Sequence, residues 1–249
     1  IIQPASGRPI AIPSQDMVLG CYYLTKARPG QKGEGMKFSS IEEVRMAYDA
    51  EIVALHAHIE LRFPEYTEPG TKSKYIKTTV GRALFNEIVP LEMRYINELL
   101  TKKRLEEIIA RMHRHLGNLI TVEFLDKLKD IGFYYATKSG SSIGIEDVLS
   151  PKNKKEVLQK ATADVEKVTR LYHNGLMTDG ERYNKVIDIW THASNDVASA
   201  MYEEVARSDD GFNPVFMMMD SGARGSRDQI KQLGGMRGLM SKPQKSMTG

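Results

Sequence analysis

Between Ser150 and Arg207 the chain carries two apolar stripes of helical period separated by a turn, and this pattern constrains the fold more than any other stretch. Leu158, Ala161, Val165, Val168 and Tyr172 step by three and four residues, and so do Tyr183, Ile187, Trp190, Ser194, Val197 and Met201. Ser150-Pro151 supplies an N-cap and a proline suited to the first helical position, while Asn174-Gly175 supplies a C-cap. Thr178 followed by Glu181 is a capping box, in which hydroxyl and carboxylate each satisfy a free backbone amide, so a second helix starts there and ends near Arg207. A loop of about five residues forces the two stripes to face each other antiparallel, which predicts a projecting helical hairpin with arms roughly 35 Å long. One narrow stripe per helix leaves most of each surface wet, above all toward Gly175 to Glu181. Such a hairpin either packs on a larger body or offers its tip as a docking site.

The rest of the chain mixes element types. Pro and Gly crowd the stretch from Pro4 to Gly35 around one apolar run, Met17 to Leu24, which predicts irregular structure with at most one buried strand or helical turn. Ile41 to Ala50 reads as a short helix capped by Ser39 or Ser40, and the alternation of Val53, Leu55, Ala57, Ile59, Leu61 and Phe63 as a half-buried strand. The partner strand is expected after the polar loop Thr67 to Lys74. Val80 to Ile88, Ile96 to Leu100, Lys103 to Leu116 and Thr121 to Thr137 have helical spacing, with glycines at 81, 117, 132 and 140 marking breaks or close packing. The fold class is α+β: a mixed, irregular β/α part followed by a mainly helical part. The chain opens Ile1-Ile2 and closes in the polar string Lys242 to Gly249, which reads as a piece of something longer.

Several chemistries find no support in the residues. No run approaches the length of uncharged apolar sequence that a membrane span needs. Thirty-five Lys and Arg against 32 Asp and Glu leave a net charge of +3, so any grip on nucleic acid must be local. The single cysteine, Cys21, excludes an internal disulfide framework and a multi-thiolate zinc site, suits a reducing cytoplasm, and lies in an apolar run that raises its pKa. His56 and His58, like His113 and His115, come without carboxylates at ligand spacing and read as packing or surface residues. There is no P-loop and no Asp-x-Asp-x-Asp array for two magnesium ions. One segment does look chemical: Phe212 to Met240 places a Met-rich run, an Asp, closely spaced glycines and Arg224, Arg227 and Arg237 together. Glycine permits close approach of backbone to a ligand, and arginine offers forked, permanently charged donors matched to phosphate oxygens.

Longer blocks carry a resemblance. Ala5-Ser6-Gly7-Arg8-Pro9-Ile10, Pro13-Ser14-Gln15-Asp16-Met17-Val18-Leu19-Gly20-Cys21-Tyr22-Tyr23, Lys32-Gly33-Glu34-Gly35 and Thr79-Val80-Gly81-Arg82 appear in that order. Gly180 to Trp190 and Asp220-Ser221-Gly222-Ala223-Arg224-Gly225-Ser226 follow. Together they resemble the β′ subunit of bacterial DNA-directed RNA polymerase over nearly the whole chain. The resemblance covers an interior part of that subunit, after the Asp triad that holds catalytic magnesium and before the bridge helix and trigger loop.

That resemblance implies a pore-like region over residues 1–115, a funnel over 116–207 whose rim is the hairpin of about 150–207, and an active-centre approach with an F-loop over 208–249. It implies DNA-templated RNA synthesis by the full complex, with no catalytic residue in this stretch and magnesium bound elsewhere. Arg224 is expected to reach the triphosphate of the incoming nucleotide, and Met218 to line the same region. Gln229, Arg237 and Met240 would act through the position of the F-loop. The tip residues Asn174, Gly175, Asp179 and Glu181 would dock transcript-cleavage factors and the stringent-response regulator, and Asn184, Lys185 and Asp188 match a guanosine tetraphosphate site. A second such site is expected to be lost, since Asp126 matches but Leu119 and Asp130 replace a lysine and a tyrosine. Implied partners are the rest of β′, the β, α, ω and sigma subunits, DNA, RNA and nucleoside triphosphates, in the cytoplasm at the nucleoid and away from membranes. The alternative is a freestanding hairpin that captures partner helices without catalysis, and the two readings predict different flanking sequence.

Overall fold

The computed structural model describes residues 9–62 and 75–240. In chain order it holds α1 (Asp16–Thr25), β1 (Lys37–Phe38), α2 (Ile41–Asp49), β2 (His58–Arg62), β3 (Tyr75–Thr79), α3 (Val80–Asn86), α4 (Lys102–Ser139), α5 (Lys154–His173), α6 (Asp179–Arg207), α7 (Pro214–Asp220) and α8 (Arg227–Ile230). A π turn, Lys231–Gly235, follows α8. The class is α+β, as expected. Two compact units form: the described residues up to Ser142 together with Met217–Arg224, and Ile143–Phe216 with the described residues from Gly225 onward.

The first unit is built around α1, where irregular structure was expected. Val18, Cys21, Tyr22 and Leu24 have no exposed surface, and Leu19 and Thr25 are buried too. A helix enclosed on nearly every side shows no polar face, so the periodic contrast that identifies a helix in sequence is missing. Burial also pushes the Cys21 thiol up to about 12, which keeps it neutral and unreactive near neutral pH. Around α1 pack α3 and α4, with Phe85 and Phe124 meeting edge to face at 6.5 Å between ring centroids. The expected break at Gly117 is present: its φ of 80° and ψ of −173° interrupt α4, a backbone conformation that glycine adopts without a Cβ clash.

A three-stranded sheet covers this core in the order β1-β2-β3, with β1 parallel and β3 antiparallel to β2. In β2, Ile59 and Leu61 point inward and the alternation is as expected, but the strand is shorter than Val53 to Phe63. Val53, Leu55 and Ala57 are buried without a ladder, because their neighbourhood bonds to scattered partners: Val53 N–H to Ala47 O, Ala54 N–H to Lys32 O, and Gly81 N–H to Leu55 O. Phe63 and the loop Thr67 to Lys74 lie outside the described residues. Ile96 to Leu100, expected as helix, is non-helical. There the backbone is satisfied by side chains: Asn86 exchanges two hydrogen bonds with Ile96, at 2.8 and 2.9 Å, and Leu100 N–H donates to Thr25 Oγ1 at 3.0 Å.

In the second unit α5 and α6 pair as the hairpin. Ala161, Val168, Ser194, Val197 and Met201 of the two stripes are buried. α5 starts three residues later than Pro151, at Lys154 after Asn153, with no side-chain cap. Its C-terminus follows the sequence closely: Gly175 N–H donates to Tyr172 O and Leu176 N–H to Leu171 O, with Gly175 at φ 73°. That pair is the Schellman arrangement, which needs a left-handed residue where Gly175 stands.

Candidate nucleotide and factor sites

The segment Met217–Arg224 is fastened into the first unit at its backbone. Ser221 O accepts from Lys102 N–H at 2.8 Å, using a free amide in the first turn of α4, and Ser221 N–H donates to Met217 O at 3.0 Å. Arg224 N–H donates to Met218 O at 3.1 Å, so the turn after α7 brings these two residues together. Met218 and Arg224 line a cleft of about 280 Å³ with Gln15, Asp16, Leu19 and Ala223. Met218 is half-buried and Arg224 exposed. The cleft thus has one apolar wall, one guanidinium and one carboxylate, Asp16, and can receive a small polar ligand whose negative end faces the arginine.

Gln229, Arg237 and Met240 belong to the second unit. Gln229 Oε1 accepts from Ser226 N–H at 2.8 Å while Gln229 N–H donates to Ser226 Oγ at 3.3 Å, a capping box that starts α8. Arg237 lines a second cleft, of about 390 Å³, against Thr191, Ser194 and Asn195 of α6. Met240 is exposed.

At the hairpin tip, Asn174, Gly175, Asp179 and Glu181 are all exposed. Glu181 Oε2 accepts from Thr178 N–H and Oγ1, both at 3.0 Å, and Thr178 Oγ1 accepts from Glu181 N–H at 3.3 Å. Those bonds, aided by the charge of Lys185, hold the Glu181 carboxyl below its ordinary range. Asp179 pairs with Arg182 at 2.6 Å, and the Arg182 guanidinium lies 4.5 Å from the Tyr172 ring centroid, tying α6 to α5. Asn184, Lys185 and Asp188 are exposed on the next turns of α6. Sequence reasoning missed the apolar part of this surface: Leu176 is 73% exposed and Tyr183, assigned there to the buried stripe, 63%. On α4, Leu119 is exposed, and Asp126 and Asp130 lie 3.7 and 3.5 Å from Lys129.

His56 takes no such part. It is buried, its Nδ1–H donating to Lys26 O at 2.9 Å, and desolvation lowers its pKa. Among the described residues no three His, Cys, Asp or Glu side chains gather where they could hold a metal ion. No described helix is long and apolar enough to cross a membrane.

Comparison with known proteins matches these elements to one family. The family model described as RNA polymerase Rpb1, domain 3, matches residues 1–148, and that for RNA polymerase Rpb1, domain 4, matches residues 177–249. A protein named DNA-directed RNA polymerase subunit beta' from Salinibacter ruber is 48% identical over 244 residues, covering 98% of this chain and 16% of its own length. Proteins of the same name from Parabacteroides distasonis and Chlorobaculum tepidum are 47% and 44% identical, covering 99% and 100% of this chain and 17% and 18% of their own lengths. The chain therefore spans about a sixth of the length of these relatives. With an Rpb1 domain matched over more than half its residues and the same subunit found along its full length, the chain belongs to the RNA polymerase Rpb1 family and corresponds to part of a bacterial β′ subunit.

Proposed function

We propose that this chain works as part of the catalytic β′ subunit of a DNA-directed RNA polymerase, forming a secondary channel through which nucleoside triphosphates enter and at whose rim factors dock. The observation that carries this reading is the match to β′ subunits over 98% and 99% of the chain. Residues 1–115 take the pore-like role, 116–207 the funnel with its rim hairpin, and 208–249 the active-centre approach and F-loop. Arg224 and Met218, joined by a backbone hydrogen bond at one cleft, are the nucleotide-facing pair. A fixed guanidinium there orients the triphosphate and offsets its charge. Gln229, Arg237 and Met240 set the position of the F-loop. On this reading the magnesium that such an enzyme needs is held by parts of the subunit outside this chain, as the resemblance to β′ implies. The β, α, ω and sigma subunits, DNA and RNA complete the working assembly in the cytoplasm, at the nucleoid.

A hybrid subunit tests this reading: these 249 residues replace the matching stretch of a relative's β′ subunit. The hybrid is expected to assemble and to make RNA on a DNA template. An assembled hybrid without templated synthesis overturns the reading.

The hairpin tip is proposed as the seat of transcript-cleavage factors and the stringent-response regulator, with Asn184, Lys185 and Asp188 adding a guanosine tetraphosphate contact. Exposed Leu176 and Tyr183 beside Asp179 and Glu181 support this, because an apolar patch flanked by charge suits a partner helix pair. Glu181→Gln keeps the capping geometry and removes the charge, and Asp179→Asn does the same for the ion pair. Together they are expected to weaken cleavage-factor binding roughly threefold to tenfold in a titration of the assembled enzyme. Equal affinity removes the acidic tip from the interface.

A further inference from the structure

Beside the Arg224 cleft a polar chain runs from the buried Tyr22 and Lys26 to the exposed Asp220, joining segments far apart in sequence. Tyr22 and Lys26 sit one turn apart at the end of α1, with 0% and 9% of their surface exposed. Lys26 Nζ donates to Tyr22 Oη at 3.2 Å and lies 5.0 Å from the centroid of the same ring. Tyr22 Oη in turn donates to Asp220 Oδ2 at 2.7 Å, across 198 residues of sequence. The hydroxyl therefore stands between a cation and a carboxylate, so both of its hydrogen bonds are charge-assisted and each orders the other. Burial disfavours the Lys26 charge, and Asp220 offsets part of that effect. Beside Asp220, the burial of Tyr22 and its bond to the carboxylate raise the phenol pKa, which keeps it a donor.

Asp220 ends α7, and the next four residues form the turn that presents Arg224. In that turn Gly222 N–H donates to Met219 O at 3.0 Å, Ala223 N–H to Ser221 Oγ at 3.2 Å, and Arg224 N–H to Met218 O. The arginine side chain is long and exposed, so what it reaches depends on where this turn is held. A shift of about 1 Å at a substrate-facing group is enough to change rate strongly. The bond from Tyr22 to Asp220 ties the α7 end of the turn to α1, beside the backbone bond from Lys102 N–H to Ser221 O and the packing of Ala223 on the core.

We propose that Tyr22, Lys26 and Asp220 are positioning residues for the nucleoside triphosphate, fixing the turn from which Arg224 meets it. The inference rests on the reading of Arg224 given above. Tyr22→Phe removes one oxygen and leaves the buried ring, so packing is retained while the latch is lost. Asp220→Ala removes the acceptor, whereas Asp220→Asn keeps an oxygen in its place.

The test is single-nucleotide addition by the assembled polymerase over a range of nucleoside triphosphate concentrations, for these variants, Arg224→Ala, and the Tyr22→Phe, Arg224→Ala double variant. Tyr22→Phe and Asp220→Ala are expected to raise KM roughly threefold to tenfold with a smaller change in kcat, and Asp220→Asn to recover most of the loss. In the double variant the KM is expected to equal that of Arg224→Ala alone, because the latch acts only through the arginine. If Arg224→Ala leaves KM unchanged, the triphosphate reading itself fails, and this inference with it. If Arg224→Ala raises KM while Tyr22→Phe does not, or if the two effects multiply, the latch alone is overturned.

Discussion

Replacing Gly20 by alanine is expected to destabilise the first unit by about 2–3 kcal/mol, although alanine is the better helix former. In an open helix this exchange stabilises by about 1 kcal/mol. At Gly20 a Cβ would lie 1.8 Å from Gly132 O and 2.8 Å from Ala136 N, both backbone atoms of α4. The contact is reciprocal, since a Cβ on Gly132 would lie 2.9 Å from the Met17 Cα of α1. Backbone in a regular helix cannot swing aside as a side chain does, so α1 and α4 would have to separate along their length. Overpacking of that kind costs about 1–3 kcal/mol and here falls at the upper end, which outweighs the propensity gain. Gly180, helical and with nothing within 4 Å of its would-be Cβ, is the internal control. Gly180→Ala is expected to be neutral or stabilising by up to about 1 kcal/mol. Urea unfolding of the full chain followed by circular dichroism reads both, and equal midpoints for Gly20→Ala and the parent would show that the helices do not depend on this close approach.

That crossing also shows where sequence reading succeeds and where it fails. The α5–α6 hairpin was legible because its signals are local and one-sided: a stripe, a Gly175 that the turn requires, and a Thr178 with Glu181 at the right spacing. Its N-terminus was misplaced because Ser150-Pro151 carries the composition of a helix start, while the chain makes one more turn before Lys154. Helix α1 was missed for the opposite reason, since burial on nearly all sides erased its period. Ile96 and Leu100 have helical spacing and are both buried, yet the backbone between them bonds to Asn86 and Thr25. Side-chain acceptors that lie 10 and 75 residues away leave no trace in a window of local sequence.

The candidate site divides along the same line. Arg224 and Met218 were named through resemblance to the β′ family, and the structure joins them by a backbone bond that residue types alone do not announce. The support beneath them, Tyr22 with Asp220, joins two segments that are each recognisable but give no sign of touching. At the tip, the acidic residues were legible as charges, whereas the exposure of Tyr183 was not. Tyr183 falls in the apolar stripe by spacing, but in the first turns of α6 it is exposed, while its neighbour Arg182 makes the contact with Tyr172 of α5.

In the assembled polymerase, Arg224→Ala is expected to lower kcat/KM for nucleotide addition by about tenfold to a hundredfold. The size follows from what is removed: hydrogen bonds to a charged group are worth about 1.5–3 kcal/mol, and each 1.4 kcal/mol is a factor of ten. Arg224 has no ion pair among those formed by the described residues, so its charge is not already committed to a carboxylate. Its exposure leaves the guanidinium accessible at the cleft, with Met218 supplying the apolar wall. A triphosphate held there keeps its charge from binding through transfer. The effect is therefore expected to be largest in KM, with kcat falling to the extent that charge builds on the phosphates in the transition state. Arg224→Lys separates charge from shape: it retains a cation but not the planar fork, so it is expected to recover part of KM and little of the geometry-dependent rate. Single-nucleotide addition measured by rapid quench distinguishes these terms, and parent-like kinetics in Arg224→Ala would remove the arginine from the triphosphate altogether.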